Sequence, residues 1–141
     1  MSYPWLALRI AEEQDRRQRE AFVRQRLPVA FESLNSALSA CVEAYANAFG
    51  PKSVEIAKES AGVKISICDE HDGQWRPRAE IDIRLDAAVP GFRIARGEEK
   101  FAIQVGTLPG EKLFYKREDQ YLSIEDLTRT ILDRSFFPKL A

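Results

Sequence analysis

The strongest constraint on the fold is a pair of alternating segments separated by a turn signal. Apolar and polar residues alternate over residues 63–67 (VKISI) and again over residues 79–85 (AEIDIRL). Such alternation is typical of strands with one buried and one exposed face. Asp72-Gly73 lies between the two segments and is a common two-residue hairpin turn. The pattern predicts an antiparallel β-hairpin whose apolar face other elements must extend and cover.

Length and composition indicate one globular domain over residues 1–141, because the chain is 45% hydrophobic and 30% charged. No apolar run approaches the roughly 20 residues of a membrane-spanning helix. The N-terminus lacks the cleavage site of a signal peptide. Cys41 and Cys68 have no disulfide or metal spacing, so we interpret them as reduced thiols. We therefore expect a cytoplasmic protein without a membrane partner or a cofactor. The net charge of −1 means that any basic site must be local.

Two helices are predicted before the hairpin. The first, over residues 4–26, is apolar at both ends and charged in the middle, so residues 1–27 are expected to form a partly exposed helix. Glu12 with Arg16, and Glu13 with Arg17, are expected to form ion pairs one turn apart. Pro28 predicts a break or sharp kink at Leu27. The second helix is expected to end near Phe49 and to lie across the sheet on an apolar stripe of Phe31, Leu34, Leu38, Cys41, Val42, Tyr45 and Phe49.

The remaining strands are predicted from the rule that apolar residues of neighbouring strands share one face. A first strand over residues 53–58 precedes the hairpin, and a turn at Pro109-Gly110 leads to a last strand near Lys112–Arg117. The hairpin needs one extra residue to keep its apolar face, so an irregularity is expected between Asp72 and Pro77. The predicted opposite pairs are Ile56 with Val63, Val54 with Ile65, Ile67 with Ala79, Ile65 with Ile81, Leu85 with Phe92, Ile83 with Ile94, Ile94 with Ile103, and Phe92 with Val105.

A C-terminal helix is indicated by Ser123 as N-cap and Asp126 as its capping-box partner. It is expected to end before Pro138, with Phe136 and Phe137 tucked against the core edge rather than presented to another chain. The predicted fold is thus α+β. It comprises two N-terminal helices, an antiparallel meander of about six strands, and a C-terminal helix, with the helices covering one sheet face.

An acidic group on the hairpin is the one feature that suggests catalysis. Asp69, Glu80 and Asp82 are candidate ligands for Mg²⁺, which prefers carboxylate oxygens. Their arrangement resembles the acidic hairpin of restriction-endonuclease-like nucleases, with Arg84 where the E-x-K motif has lysine. The resemblance implies metal-dependent phosphodiester hydrolysis. We prefer the alternative interpretation, a solvated strand face whose acids are neutralised by Lys64, Arg78 and Arg84.

Arginines concentrated in the first helix form a second candidate site. The residues proposed to bind are Arg16, Arg17, Arg19, Arg24 and Arg26. Acidic residues interleave with them, whereas a nucleic-acid helix normally shows a cleaner basic stripe. Self-association or a protein partner is therefore preferred to nucleic acid.

A third candidate is a small-ligand pocket between helix and sheet, lined by aromatic residues such as Trp5, Phe31, Tyr45, Trp75 and Phe101. No phosphate-binding glycine loop, nucleophile motif or zinc-ligand spacing is found in the sequence. We therefore expect a non-enzymatic binding or assembly module. One version of this expectation is a homodimer that uses the first helix or the outer sheet face. Nuclease, nucleic-acid-binding and small-ligand functions remain as alternatives.

Overall fold

The computed structural model describes residues 3–109 and 112–140. Helix α1 comes first, seven strands follow, and helix α2 closes the described chain. The elements are α1 (Pro4–Phe49), β1 (Val54–Lys58), β2 (Gly62–His71), β3 (Gln74–Asp86), β4 (Gly91–Arg96), β5 (Glu99–Leu108), β6 (Lys112–Arg117), β7 (Gln120–Leu122) and α2 (Ile124–Phe136).

The strands form one antiparallel sheet in sequence order, from β1 at one edge to β7 at the other. This arrangement confirms the predicted α+β class and the meander. The sheet has one strand more than predicted, because Gln120–Leu122 pairs with β6. The predicted turn at Pro109-Gly110 includes Gly110, which lies outside the described residues.

Both helices pack on one face of the sheet. Alternate residues of the central strands are fully buried, including Ile65, Ile81 and Ile103, as predicted. From α1, Leu34 and Leu38 are also fully buried, and Leu127 and Ile131 complete the core from α2. Because alternate side chains of a strand point to opposite faces, the other sheet face carries mostly polar residues.

Helix α1 is continuous over 46 residues, about 69 Å at 1.5 Å per residue. The predicted break at Leu27 is wrong, because one helix runs through Pro28 and replaces the two predicted N-terminal helices. Proline removes one backbone hydrogen bond, which would have joined its nitrogen to the carbonyl of Arg24. Both residues are exposed, so water can hydrate that carbonyl, while Leu27 and Ala30 on the opposite side are buried against the core. Packing thus holds the helix together where local propensity favours a break.

The strand register confirms four of the predicted pairs and corrects the other four. Ile67 lies opposite Ala79, Ile65 opposite Ile81, Ile83 opposite Ile94, and Leu85 opposite Phe92. The β1–β2 and β4–β5 registers differ from the prediction by two residues. The observed pairs there are Ile56 with Ile65, Val54 with Ile67, Ile94 with Phe101, and Phe92 with Ile103. A two-residue shift keeps every side chain on its predicted face, so the alternation of apolar residues cannot distinguish the two registers.

The hairpin between β2 and β3 has a plain two-residue turn. Asp72 and Gly73 both have positive φ, 52° and 77°, as the favoured hairpin turn requires. The predicted irregularity between Asp72 and Pro77 lies just beyond that interval. Cys68 is opposite Pro77 and Ile67 is opposite Ala79, so Arg78 is the extra residue of a β-bulge.

Two arginines attach the helices to the sheet. The bulge turns Arg78 toward the helices, where its guanidinium donates to Asp69 at 3.1 Å, to the Ser135 carbonyl at 2.7 Å and to the Tyr45 hydroxyl at 3.5 Å. Arg96 of β4 donates to the carbonyl of Ile131 in α2. These bonds fix α2 against the sheet.

Helix α2 begins with the predicted capping box. The Ser123 hydroxyl accepts a hydrogen bond from the Asp126 backbone, and the Asp126 carboxylate accepts one from the Ser123 backbone. At the other end, Phe136 is buried, and Phe137 packs against Tyr45 with ring centroids 5.9 Å apart. The two phenylalanines therefore lie at the core edge, as predicted. No described helix has the length and apolar composition needed to cross a membrane.

Candidate functional site

The most prominent surface feature is the first part of α1, which we call the N-terminal arm (residues 4–22). None of these residues, all of which the structure describes, is buried, and Val23 is the first residue of the helix in the core. At 1.5 Å per residue, about 28 Å of helix precedes the core contact. Large apolar side chains are exposed at its tip. Trp5 is 65% exposed, Leu8 62%, and Leu6 and Ile10 over 40%.

A network of ion pairs occupies the middle of the arm. Arg16 donates to Glu13 at 2.7 Å and to Glu20, and Arg17 donates to Glu13 at 3.1 Å. The hydrogen bonds from Arg16 and then Arg17 lower the pKa of Glu13 to about 2. The predicted Glu13–Arg17 pair is confirmed. The predicted Glu12–Arg16 pair is wrong, because Glu12 binds Arg9 instead and Arg16 is held between Glu13 and Glu20.

The arginines proposed as binding residues are engaged within their own helix. Besides Arg16 and Arg17, Arg19 binds Asp15 at 2.8 Å and Arg24 binds Glu20 at 2.6 Å. Arg26 lies over the ring of Phe22, 5.2 Å from its centroid. These contacts lower the positive potential that the arginines offer to a polyanion.

Charge is unevenly distributed along α1. Residues 4–15 contain one arginine and three acids, a net charge of −2, whereas residues 16–29 contain five arginines and one acid, a net charge of +4. The two segments adjoin on one continuous helix. The helix therefore presents an acidic section followed by a basic one, each about 20 Å long.

The acidic hairpin residues do not lie together. Asp69 follows the buried Ile67 by two positions and binds Arg78 on the helix side of the sheet. Glu80 and Asp82 alternate with the buried Ile81 on the outer face, where Arg84 binds Asp82 at 3.0 Å. Within residues 3–109 and 112–140, no group of three His, Cys, Asp or Glu side chains could hold a metal ion.

An apolar groove of about 390 Å³ lies between the C-terminal half of α1 and α2. Its aromatic lining consists of Tyr45, Phe49, Phe136 and Phe137. Of the aromatic residues predicted to line a helix–sheet pocket, Tyr45 alone lines this groove. Phe31 is in the core and Trp5 is on the arm, so those five residues do not surround one cavity.

No family model matches this chain, and neither curated proteins nor solved structures show a similarity to it.

Proposed function

We propose that this protein is a non-enzymatic assembly module that associates with itself through the N-terminal arm. The observation that carries the proposal is the exposure of Trp5, Leu6, Leu8 and Ile10 on a helix segment that makes no core contact. Contiguous exposed apolar residues of this size are a common mark of a protein–protein interface.

The energetics support an interface at the arm. Fully burying one large apolar side chain contributes about 1.5–3 kcal/mol. Trp5 and Leu8 lie on one side of the helix, so a symmetric dimer can bury four such side chains, which is a driving force on the scale needed for association even after the entropic cost of binding. The ion pairs of residues 12–24 keep the segment helical, so little ordering is required when the interface forms.

The alternatives have less support. Nucleic-acid binding would require arginines free to contact phosphates, but four of the five candidates are paired with carboxylates of the same helix. Metal-dependent hydrolysis would require acidic residues on one face, but Asp69 lies on the face opposite Glu80 and Asp82. The partly exposed Cys41 and Cys68 are both free thiols, which fits the cytoplasmic setting that we propose.

Size-exclusion chromatography with light scattering over a range of protein concentrations tests the proposal. We expect the unmodified chain to form a dimer and the Trp5→Ser/Leu8→Ser variant to be a monomer of unchanged helix and sheet content. Leu108→Ser is the matched control, because this leucine is 45% exposed but lies at the end of β5. A monomer at every concentration, or a dimer that persists in the arm variant, would refute the proposal.

A further inference from the structure

One face of α1 carries a continuous heptad stripe that begins in the arm and passes beyond Pro28. Its positions are separated alternately by three and four residues, the spacing of the contact positions in two-helix coiled coils. Seven of the eight side chains are exposed and Phe22 is half-buried. The stripe, about 36 Å long, consists of Trp5, Leu8, Glu12, Asp15, Arg19, Phe22, Arg26 and Val29.

The stripe differs from the face that packs on the sheet. Val23, Leu27 and Ala30 are buried beneath the helix, whereas Arg26 and Val29 are exposed, the latter to 53%. The stripe therefore lies outside the core, and Arg19 in its middle lines a groove with Val89 and Pro90 at the border of the sheet. Trp5 and Leu8 lie at one end of the stripe, and Glu12, Asp15 and Arg19 form its middle. Arg26 separates the apolar Phe22 and Val29 at the other end.

Charge selects the orientation of a second copy. In a parallel pair, each stripe residue would face its own equivalent, which would place Glu12, Asp15, Arg19 and Arg26 each against a like charge. In an antiparallel pair, the acidic section of one helix faces the basic section of the other. Like charges directly opposed destabilise an interface, and complementary potentials favour it.

One antiparallel register avoids every like-charge pair along the stripe and sets an apolar residue opposite Trp5. Pairing Trp5 with Val29 of the second copy also pairs Asp15 with Arg19, and it sets Glu12 near Phe22 and Leu8 near Arg26. A shift of one heptad in one direction opposes Glu12 to Asp15. A shift in the other direction opposes Trp5 and Leu8 to the serines at positions 36 and 33.

We infer that the two copies of the proposed dimer bind antiparallel along the heptad stripe, with the two-fold axis near Arg17. Asp15 and Arg19 already pair within one helix at 2.8 Å. In the dimer, the two pairs form a four-charge cluster of alternating sign at the axis, flanked on each side by Trp5 and Leu8 of one copy and Val29 and Phe22 of the other. Such an interface is isologous and closes as a dimer.

The inference rests on the proposed function, and a charge-exchange series tests it. Asp15→Arg and Arg19→Asp each place two like-charged pairs at the axis, so each variant is expected to weaken the dimer by about tenfold. The double variant restores opposite charges and is expected to return the dissociation constant to within about threefold of the original. In a parallel dimer, residues 15 and 19 each face their own equivalents, so the original chain and every variant have two like-charge pairs, and neither the loss by the single variants nor the recovery by the double variant would occur. Circular dichroism of each variant controls for helix content, because the same residues also pair within the helix.

Disulfide trapping decides the orientation independently. Leu8→Cys and Arg26→Cys chains are oxidised separately and as a mixture, with the unmodified chain showing the background from Cys41 and Cys68. A crosslinked dimer that forms only in the mixture is the expected result. Crosslinking of each variant alone, or a dimer without any crosslink in the mixture, would overturn the antiparallel register and leave the proposed function intact. A chain that remains a monomer would refute both.

Discussion

Replacing Pro28 with alanine tests how α1 stays continuous. Alanine supplies the backbone N–H that proline lacks, so it can donate to the exposed carbonyl of Arg24 and complete the helical hydrogen bonding. Proline is about 3 kcal/mol less favourable than alanine within a helix. Because Arg24 is exposed and water can hydrate its carbonyl, we expect Pro28→Ala to raise the free energy of unfolding by slightly less, about 2–3 kcal/mol. For a chain of this size, that is an increase in Tm of about 5–10 °C.

Urea denaturation of Pro28→Ala should be followed by circular dichroism at one fixed protein concentration, because dimerisation itself adds apparent stability. Ser33→Ala is the matched control, since it is an exposed substitution on the same helix with no change in backbone hydrogen bonding. It should alter the free energy of unfolding by less than about 0.5 kcal/mol. A Pro28→Ala variant no more stable than this control would show that the backbone at Pro28 is not helical and would refute the continuous helix.

Two further predictions concern the sheet and the arm. Gly91→Ala should destabilise the protein by several kcal/mol in urea denaturation, because its Cβ would lie 1.9 Å from the Ile103 carbonyl oxygen. Gly97 has φ 59° and open space around it, so Gly97→Ala should lower the free energy of unfolding by only about 1 kcal/mol. Equal losses in the two variants would contradict the close approach of the strands at Gly91. An NMR titration should give Glu13 a pKa of about 2. Its lowered pKa means that its stabilising contribution is present above about pH 4.5 and is lost as the pH falls toward 2. Arg16→Gln should raise that pKa, and an unchanged value would exclude the hydrogen bond as its cause.

The sequence predicted the sheet well because alternation reports directly on burial. It placed Ile65, Ile81 and Ile103 on one face, and it required an extra residue in the hairpin. It could not place that residue at Arg78, because the position depends on contacts with Ser135 and Tyr45, which are distant in sequence. Strand β7 has only three residues, too few to show any periodicity.

The candidate site was predicted in part. The sequence identified an exposed charged helix and the Glu13–Arg17 pair, but it did not identify the heptad stripe. The reason is physical. Because a break was expected at Leu27, Phe22 and Val29 were placed on different helices. Their alternating spacing of three and four residues therefore did not indicate a common face. Only packing of Leu27 and Ala30 against the sheet makes the stripe continuous.

The continuity of α1 determines how far apart the two sheets lie in a dimer whose two-fold axis is near Arg17. Each sheet is fixed to its own helix through residues 23–42, whose midpoint is about 15 residues, or roughly 23 Å, from the axis. Because α1 is continuous between the axis and the sheet, the number of helical residues between them sets that distance. In such a dimer the two sheets would lie about 45 Å apart along the helix direction. The number of helical turns between Arg17 and the sheet contacts would determine that separation.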